Sequence, residues 1–174
     1  HFPNCEYWGV EPNASMANFA RANGLHVTTG LYEDVALEIP NDYFDLIVCN
    51  DVIEHMRDPK AFLAEVKSKL RKHGFLIASV PNIKNIEVIY DLMLKDKFEY
   101  VKSGLMDYTH LHFFTVTSFK KMASECGWNT IICEPISMTK IKFWKSALLK
   151  IIEFFVGGLR TYQFGVTLTP DLGQ

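Results

Sequence analysis

A doubly wound α/β fold with a mostly parallel sheet is predicted by three features of the 174-residue sequence. Short apolar runs alternate with amphipathic stretches, the pattern of strands joined by crossover helices. One run, Phe44-Asp45-Leu46-Ile47-Val48-Cys49, is apolar on both faces, as a central parallel strand is. Glycine and proline punctuate the segments at Gly24, Gly30, Gly74, Pro81 and Gly127.

Taken in order, Glu6 to Glu11 is strand-like and ends at Pro12. Asn13 is placed to cap a helix with Met16, Phe19 and Ala20 on one face and Gly24 as its stop. Leu25 to Thr29 reads as a second strand, closed by Gly30. After the Phe44–Cys49 strand, Asp58-Pro59 joins a capping carboxylate to a proline at the first helical position. Phe62, Leu63, Val66 and Leu70 form the stripe of that helix, and His73-Gly74 ends it. Phe75 to Val80 is a buried strand. Thr117 opens a helix bearing Phe119, Met122, Ala123 and Cys126, closed by Gly127. Trp128 to Cys133 is a strand before Pro135, and Tyr162 to Leu168 is the last. Lys140 to Gly158 is an amphipathic helix that covers the sheet, meets a homodimer partner or rests on a membrane surface; the first is its ordinary use. Between strand and helix, residues 82–114 form a long excursion rich in aromatics, His and Asp, and such connections are commonly functional.

Composition narrows the classes. Hydrophobic residues make up 48% and charged residues 22%, a globular balance. A net charge of −2, with no basic stripe, argues against a nucleic-acid partner. The most apolar late stretch is interrupted by Lys150 and Glu153, so no transmembrane segment is expected. Cys5, Cys49, Cys126 and Cys133 lack zinc-ribbon spacing, and a reduced, cytoplasmic protein is the expectation.

In a doubly wound sheet, ligands sit outside the carboxyl ends of the strands. Glu11 ends the first run; there a carboxylate accepts both hydroxyls of a ribose, or simply faces solvent in a turn. Leu31-Tyr32-Glu33 follows the second strand and suits a flat heterocycle. Asn50-Asp51-Val52 and His55 follow the third, where carbonyls and polar side chains would face a cationic ligand.

The segment from Tyr43 to Pro59, with Phe44-Asp45, Val52, Glu54-His55 and Asp58-Pro59, resembles the fourth-strand motif of class I S-adenosyl-L-methionine-dependent methyltransferases. Gly9-Val10-Glu11-Pro12-Asn13 is similar to their second strand and ribose-binding acid. Gly30 to Asp34 resembles their adenine loop, and Gly74 to Asn82 their fifth strand. Gly104 to Thr115, containing Asp107-Tyr108-Thr109-His110, is similar to a stretch of a bacterial subgroup associated with cell-surface glycan genes.

The resemblance implies a Rossmann-like methyltransferase domain over 1–174, with 83–114 as a lid or acceptor insertion. It implies S-adenosyl-L-methionine as cofactor, contacted by Glu11, Pro12, Leu31, Tyr32, Glu33, Asn50, Asp51, Val52 and His55. The acceptor is expected to be a small molecule or glycan, methylated on oxygen. His110 is the expected base, oriented by Asp107, or else these two belong to a structural turn. The family's first strand and glycine-rich loop are not found, so an N-terminally incomplete chain is expected. A non-catalytic interaction module and a binder of another nucleotide are the alternatives. No metal site is expected, because His110 and His112 with Asp107 and Asp51 lack a third ligand on one face.

Overall fold

The computed structural model describes residues 4–140 and 156–171. Most of the predicted Lys140–Gly158 helix lies outside them. The chain divides into two compact units, His1–Tyr43 and Phe44–Gln174.

In the first unit, β1 (Trp8–Glu11) and β2 (His26–Thr29) are parallel neighbours joined by α1 (Ala14–Ala22). Asn13 caps α1 as expected: its side chain accepts from Ser15 N at 2.9 Å and Met16 N at 3.2 Å. Gly24 follows with a φ of 84°, the left-handed conformation that ends helices. Arg21 ties α1 to β2, donating to the Val27 carbonyl at 2.6 Å and to Thr29 Oγ1 at 3.0 Å. The buried residue of α1 is Ala17, whereas Met16 and Phe19, expected on the buried face, are 57% and 69% exposed. A two-stranded sheet, roughly 5 Å between strand axes, is too narrow to cover the face of a helix roughly 10 Å across.

The second unit holds a four-stranded sheet of β3 (Phe44–Asn50), β4 (Leu70–Pro81), β5 (Trp128–Met138) and β6 (Thr161–Pro170) in the order β3-β4-β6-β5. β3 pairs with β4 in parallel, and β6 lies antiparallel to both β4 and β5. β3 is the end strand of this sheet; Cys49 is buried, while Leu46 and Val48 are about half exposed. Burial pushes the Cys49 thiol up to about 12, so thiolate is scarce at pH 8. Exposed Cys5 is therefore expected to be alkylated by iodoacetamide in the native protein while Cys49 is spared until denaturant is added, as peptide mass spectrometry will show.

Asp58 caps α3 (Pro59–Val66) through Lys60 N at 3.0 Å and Ala61 N at 2.9 Å, with Pro59 at the first helical position. The helix does not run to His73-Gly74. It passes into one 3₁₀ turn, Lys67–Lys69, and Leu70 then opens β4 opposite Phe44. Leu70 thus shares the periodicity of the helical stripe but is buried in the sheet. Between the Phe44–Leu70 and Leu46–Phe75 pairs the register shifts. There Gly74 eases a close approach, since a Cβ would lie 3.0 Å from the Phe44 carbonyl, a tight contact.

β5 also exceeds its prediction, running through Pro135. It is an edge strand, with register shifts beside Pro135; an edge is where a residue without N–H is tolerated. In the excursion, Asn85 caps an unpredicted helix, α4 (Ile86–Lys95). α5 (Val116–Glu125) starts from a Thr115–Ser118 capping box rather than at Thr117; Phe119, Met122 and Ala123 of the expected face are buried, while Cys126 is the half-buried C-cap. Phe119 meets Phe114 and Phe164 edge-on at 5.6 and 5.7 Å. Among the described residues, no helix is long and apolar enough to cross a membrane.

Candidate functional site

In the first unit, the parallel register sets Glu11 opposite Thr29, so β1 and β2 leave the sheet at one edge. Gly30 N donates to the Glu11 carbonyl at 3.1 Å, which ties the end of β1 to the residue just before Leu31, Tyr32 and Glu33. Glycine is required at 30: a Cβ would lie 2.6 Å from Val35 Cγ1, at a φ of 152°. Leu31 starts the short helix α2 (Tyr32–Val35) with an extended backbone. The Glu11 carboxylate accepts from Asn13 N at 2.8 Å through Oε1; Oε2 receives no hydrogen bond from the described residues. A carboxylate anchored on one oxygen with the other open is suited to a neighbouring hydroxyl.

In the second unit, Asn50, Asp51 and Val52 follow β3. Asp51, at a φ of 52°, donates its backbone N–H to the Ser79 carbonyl at 3.1 Å, tying the end of β3 to the end of β4. Gln163 Nε2 donates to Asp51 Oδ1 and, at 3.2 Å, to Ser79 Oγ. The 3₁₀ turn Ile53–His55 then carries Glu54, which is 1% exposed, and His55.

The excursion returns to this turn. Leu111 N and His112 N both donate to the Glu54 carbonyl, at 2.9 and 3.1 Å. His110 is buried with Nε2 3.9 Å from Glu54 Oε1, and its ring meets that of His55 edge-on at 4.9 Å. The Nδ1 of His110 lies 3.2 Å from the Leu105 carbonyl, and that of His55 lies 2.9 Å from the Thr109 carbonyl. Neither Glu54 carboxylate oxygen has a hydrogen-bond partner among the described residues. Burial pushes its carboxyl up to about 7. Asp51, Glu54, His110, Tyr162 and Gln163 line a cavity of about 250 Å³.

His110 and Asp107 thus share a turn, with His110 N donating to the Asp107 carbonyl at 3.1 Å, but no hydrogen bond joins their side chains. Asp107 Oδ1 accepts from Thr109 N at 2.8 Å and Thr109 Oγ1 at 2.7 Å, which holds its carboxyl below the usual value. His112 Nε2 faces the Arg57 carbonyl at 3.3 Å. Asn82 is buried, and its amide nitrogen donates to the carbonyls of Gly158 and Thr161. Of the aromatics, Phe98, Tyr100 and Phe113 form a cluster with centroids 6.0–6.4 Å apart. Phe114 instead joins the core, and Tyr108 is 65% exposed. Nothing local in the sequence marks Glu54 for burial, although it stands inside the motif beside His55.

The sequence profile of a family described as "Methyltransferase domain" matches residues 2–132. The uncharacterized protein MJ1123 of Methanocaldococcus jannaschii is 26% identical over 123 residues, 71% of this chain and 56% of its own length. The chain therefore spans little more than half of that relative. Among solved structures, a SAM-dependent methyltransferase from Thermotoga maritima aligns over 95% of this chain and 72% of its own, with a TM-score of 0.62 and 19% identity. An S-adenosylmethionine-dependent methyltransferase from Mesorhizobium loti aligns over 94% of this chain and 80% of its own, with a TM-score of 0.60 and 15% identity. At those identities the likeness speaks for the fold, and the profile match speaks for the family: the chain belongs to the methyltransferase domain family and has the class I methyltransferase fold.

Proposed function

We propose that the protein containing this chain transfers the methyl group of S-adenosyl-L-methionine to a hydroxyl of a small-molecule or glycan acceptor. The observation that carries the reading is the shared edge of β1 and β2, where Glu11 stands beside the Leu31–Glu33 turn. In this reading Glu11 takes the ribose hydroxyls, while Pro12, Leu31, Tyr32 and Glu33 flank the adenine. Asn50, Asp51 and Val52 attend the methionine portion. His110 is assigned to the acceptor hydroxyl, and Asp107 shapes the turn that carries it; residues 83–114 form the acceptor side.

The chemistry asks mainly for position. The acceptor oxygen attacks the methyl carbon in line with the departing sulfur, so holding the two reactants together and excluding water does most of the work. The glycine-rich loop that the resemblance to class I methyltransferases implies for the methionine end is not found in this sequence. The match spans 56% of the relative's length, so the reading concerns the whole protein. The likeness of Gly104 to Thr115 to the glycan-associated bacterial subgroup favours a sugar hydroxyl.

The test is isothermal titration of S-adenosylhomocysteine into the whole protein. One equivalent bound is the expected result. Silence from a folded sample would reject the reading in favour of a non-catalytic interaction module.

A further inference from the structure

The geometry points to a binding site for one divalent transition-metal cation at Glu54, His55 and His110, beside the cavity that Glu54 and His110 line. Each of the three offers one ligand atom, and these atoms all lie within 4.8 Å of one another. Bonds of roughly 2.0–2.2 Å set ligand atoms roughly 3–3.5 Å apart, so small side-chain rotations close the set on an ion.

Three independent features favour a cation over a plain polar cluster. First, the Glu54 carboxylate is nine-tenths buried and more, lines the cavity, and has neither oxygen hydrogen-bonded among the described residues. Burying a carboxylate without partners is strongly unfavourable, and a dication beside it removes the penalty. Second, both histidines turn Nδ1 toward a main-chain carbonyl, Thr109 for His55 and Leu105 for His110. Donating Nδ1–H there leaves the lone pair on Nε2. This is how outer hydrogen bonds select the tautomer and orientation of a ligating imidazole. Third, the main-chain bonds from Leu111 and His112 to the Glu54 carbonyl hold the two contributing segments together without using any ligand atom.

The donors select the ion. Two imidazole nitrogens and one carboxylate oxygen suit manganese through zinc. Calcium, which takes six to eight oxygens, is a poor fit. Three protein ligands would leave coordination positions for other donors, and Glu54 and His110 share the cavity wall with Asp51. The sequence alone leads to the expectation of no metal site, and the residues weighed there stay apart from this set: His112 faces the Arg57 carbonyl and Asp107 is held by Thr109.

What the cation does rests on the methyl-transfer reading; that it binds does not. In that reading His110 meets the acceptor through the ion. The cation coordinates the acceptor oxygen and lowers its pKa, so the hydroxyl proton leaves to water. The O–CH₃ bond forms as the S–CH₃ bond breaks, S-adenosylhomocysteine departs neutral, and the metal keeps its oxidation state.

The test uses the whole protein stripped with EDTA and titrated with Mn²⁺ by electron paramagnetic resonance and with Zn²⁺ by calorimetry. One equivalent is expected, weakened at least about tenfold in both His110→Ala and Glu54→Gln, with folding checked by circular dichroism. His55→Ala, at a half-buried position, serves where either of the other variants fails to fold. No binding by the wild type, or binding unchanged in the folded variants, overturns the site. S-adenosylhomocysteine is titrated into the same stripped protein. Its binding without any metal binding sinks the cation site alone, whereas metal binding without it sinks the methyl-transfer reading alone.

Discussion

Glu11→Ala is expected to weaken S-adenosylhomocysteine binding by roughly 10- to 100-fold in the whole protein, read by calorimetry. A hydrogen bond to a charged group contributes about 1.5–3 kcal/mol, and each 1.4 kcal/mol is a factor of ten in affinity. The fold should survive the change. The cap of α1 is made by the Asn13 side chain, and Glu11 adds only one bond to Asn13 N. Glu11→Gln separates the two parts of the argument, because an amide keeps one acceptor and loses the charge. Its binding should fall between wild type and alanine. Unchanged affinity in a folded Glu11→Ala sample would remove the ribose assignment and leave the edge of β1 as an ordinary turn.

Trp128→Ala is expected to destabilise the second unit by about 3–5 kcal/mol, the range for deleting a large buried aromatic. Trp128 is 2% exposed at the start of β5, and its Nε1 donates to the Leu63 carbonyl of α3 at 2.8 Å. Truncation opens a cavity and removes the bond that joins helix to strand. Urea unfolding at constant m-value should show the loss as a lower midpoint. Trp128→Phe restores most of the volume without the donor, so it should recover part of the stability. A midpoint shift under about 1 kcal/mol for alanine would mean that the surrounding layer collapses into the gap.

How much was legible in the sequence divides along a physical line. Features made by a few neighbouring residues were readable. Asn13 and Asp58-Pro59 cap helices because the side-chain oxygen and the free N–H groups are two or three residues apart. The buried faces of α3 and α5 were readable because a helix repeats its contacts every turn. The order of motifs also carried the family, since strand ends and their loops are contiguous in sequence.

Elements decided by distant partners were not readable. Leu70 continues a helical stripe in sequence but pairs with Phe44, and only that pairing makes it a strand residue. Pro135 reads as a stop until β6 shows that β5 is an edge. Asp107 and His110 lie close enough along the chain to suggest a couple, yet Thr109 reaches the Asp107 carboxylate first and Glu54 faces the His110 ring. The sequence by itself determined the α/β class, the caps at Asn13 and Asp58, most of the buried faces of α3 and α5, and the strand ends that bear Glu11 and Asn50–His55. Only the tertiary structure decided that Glu54 is buried against two histidines, because burial and charge pairing between segments far apart along the chain have no local signature.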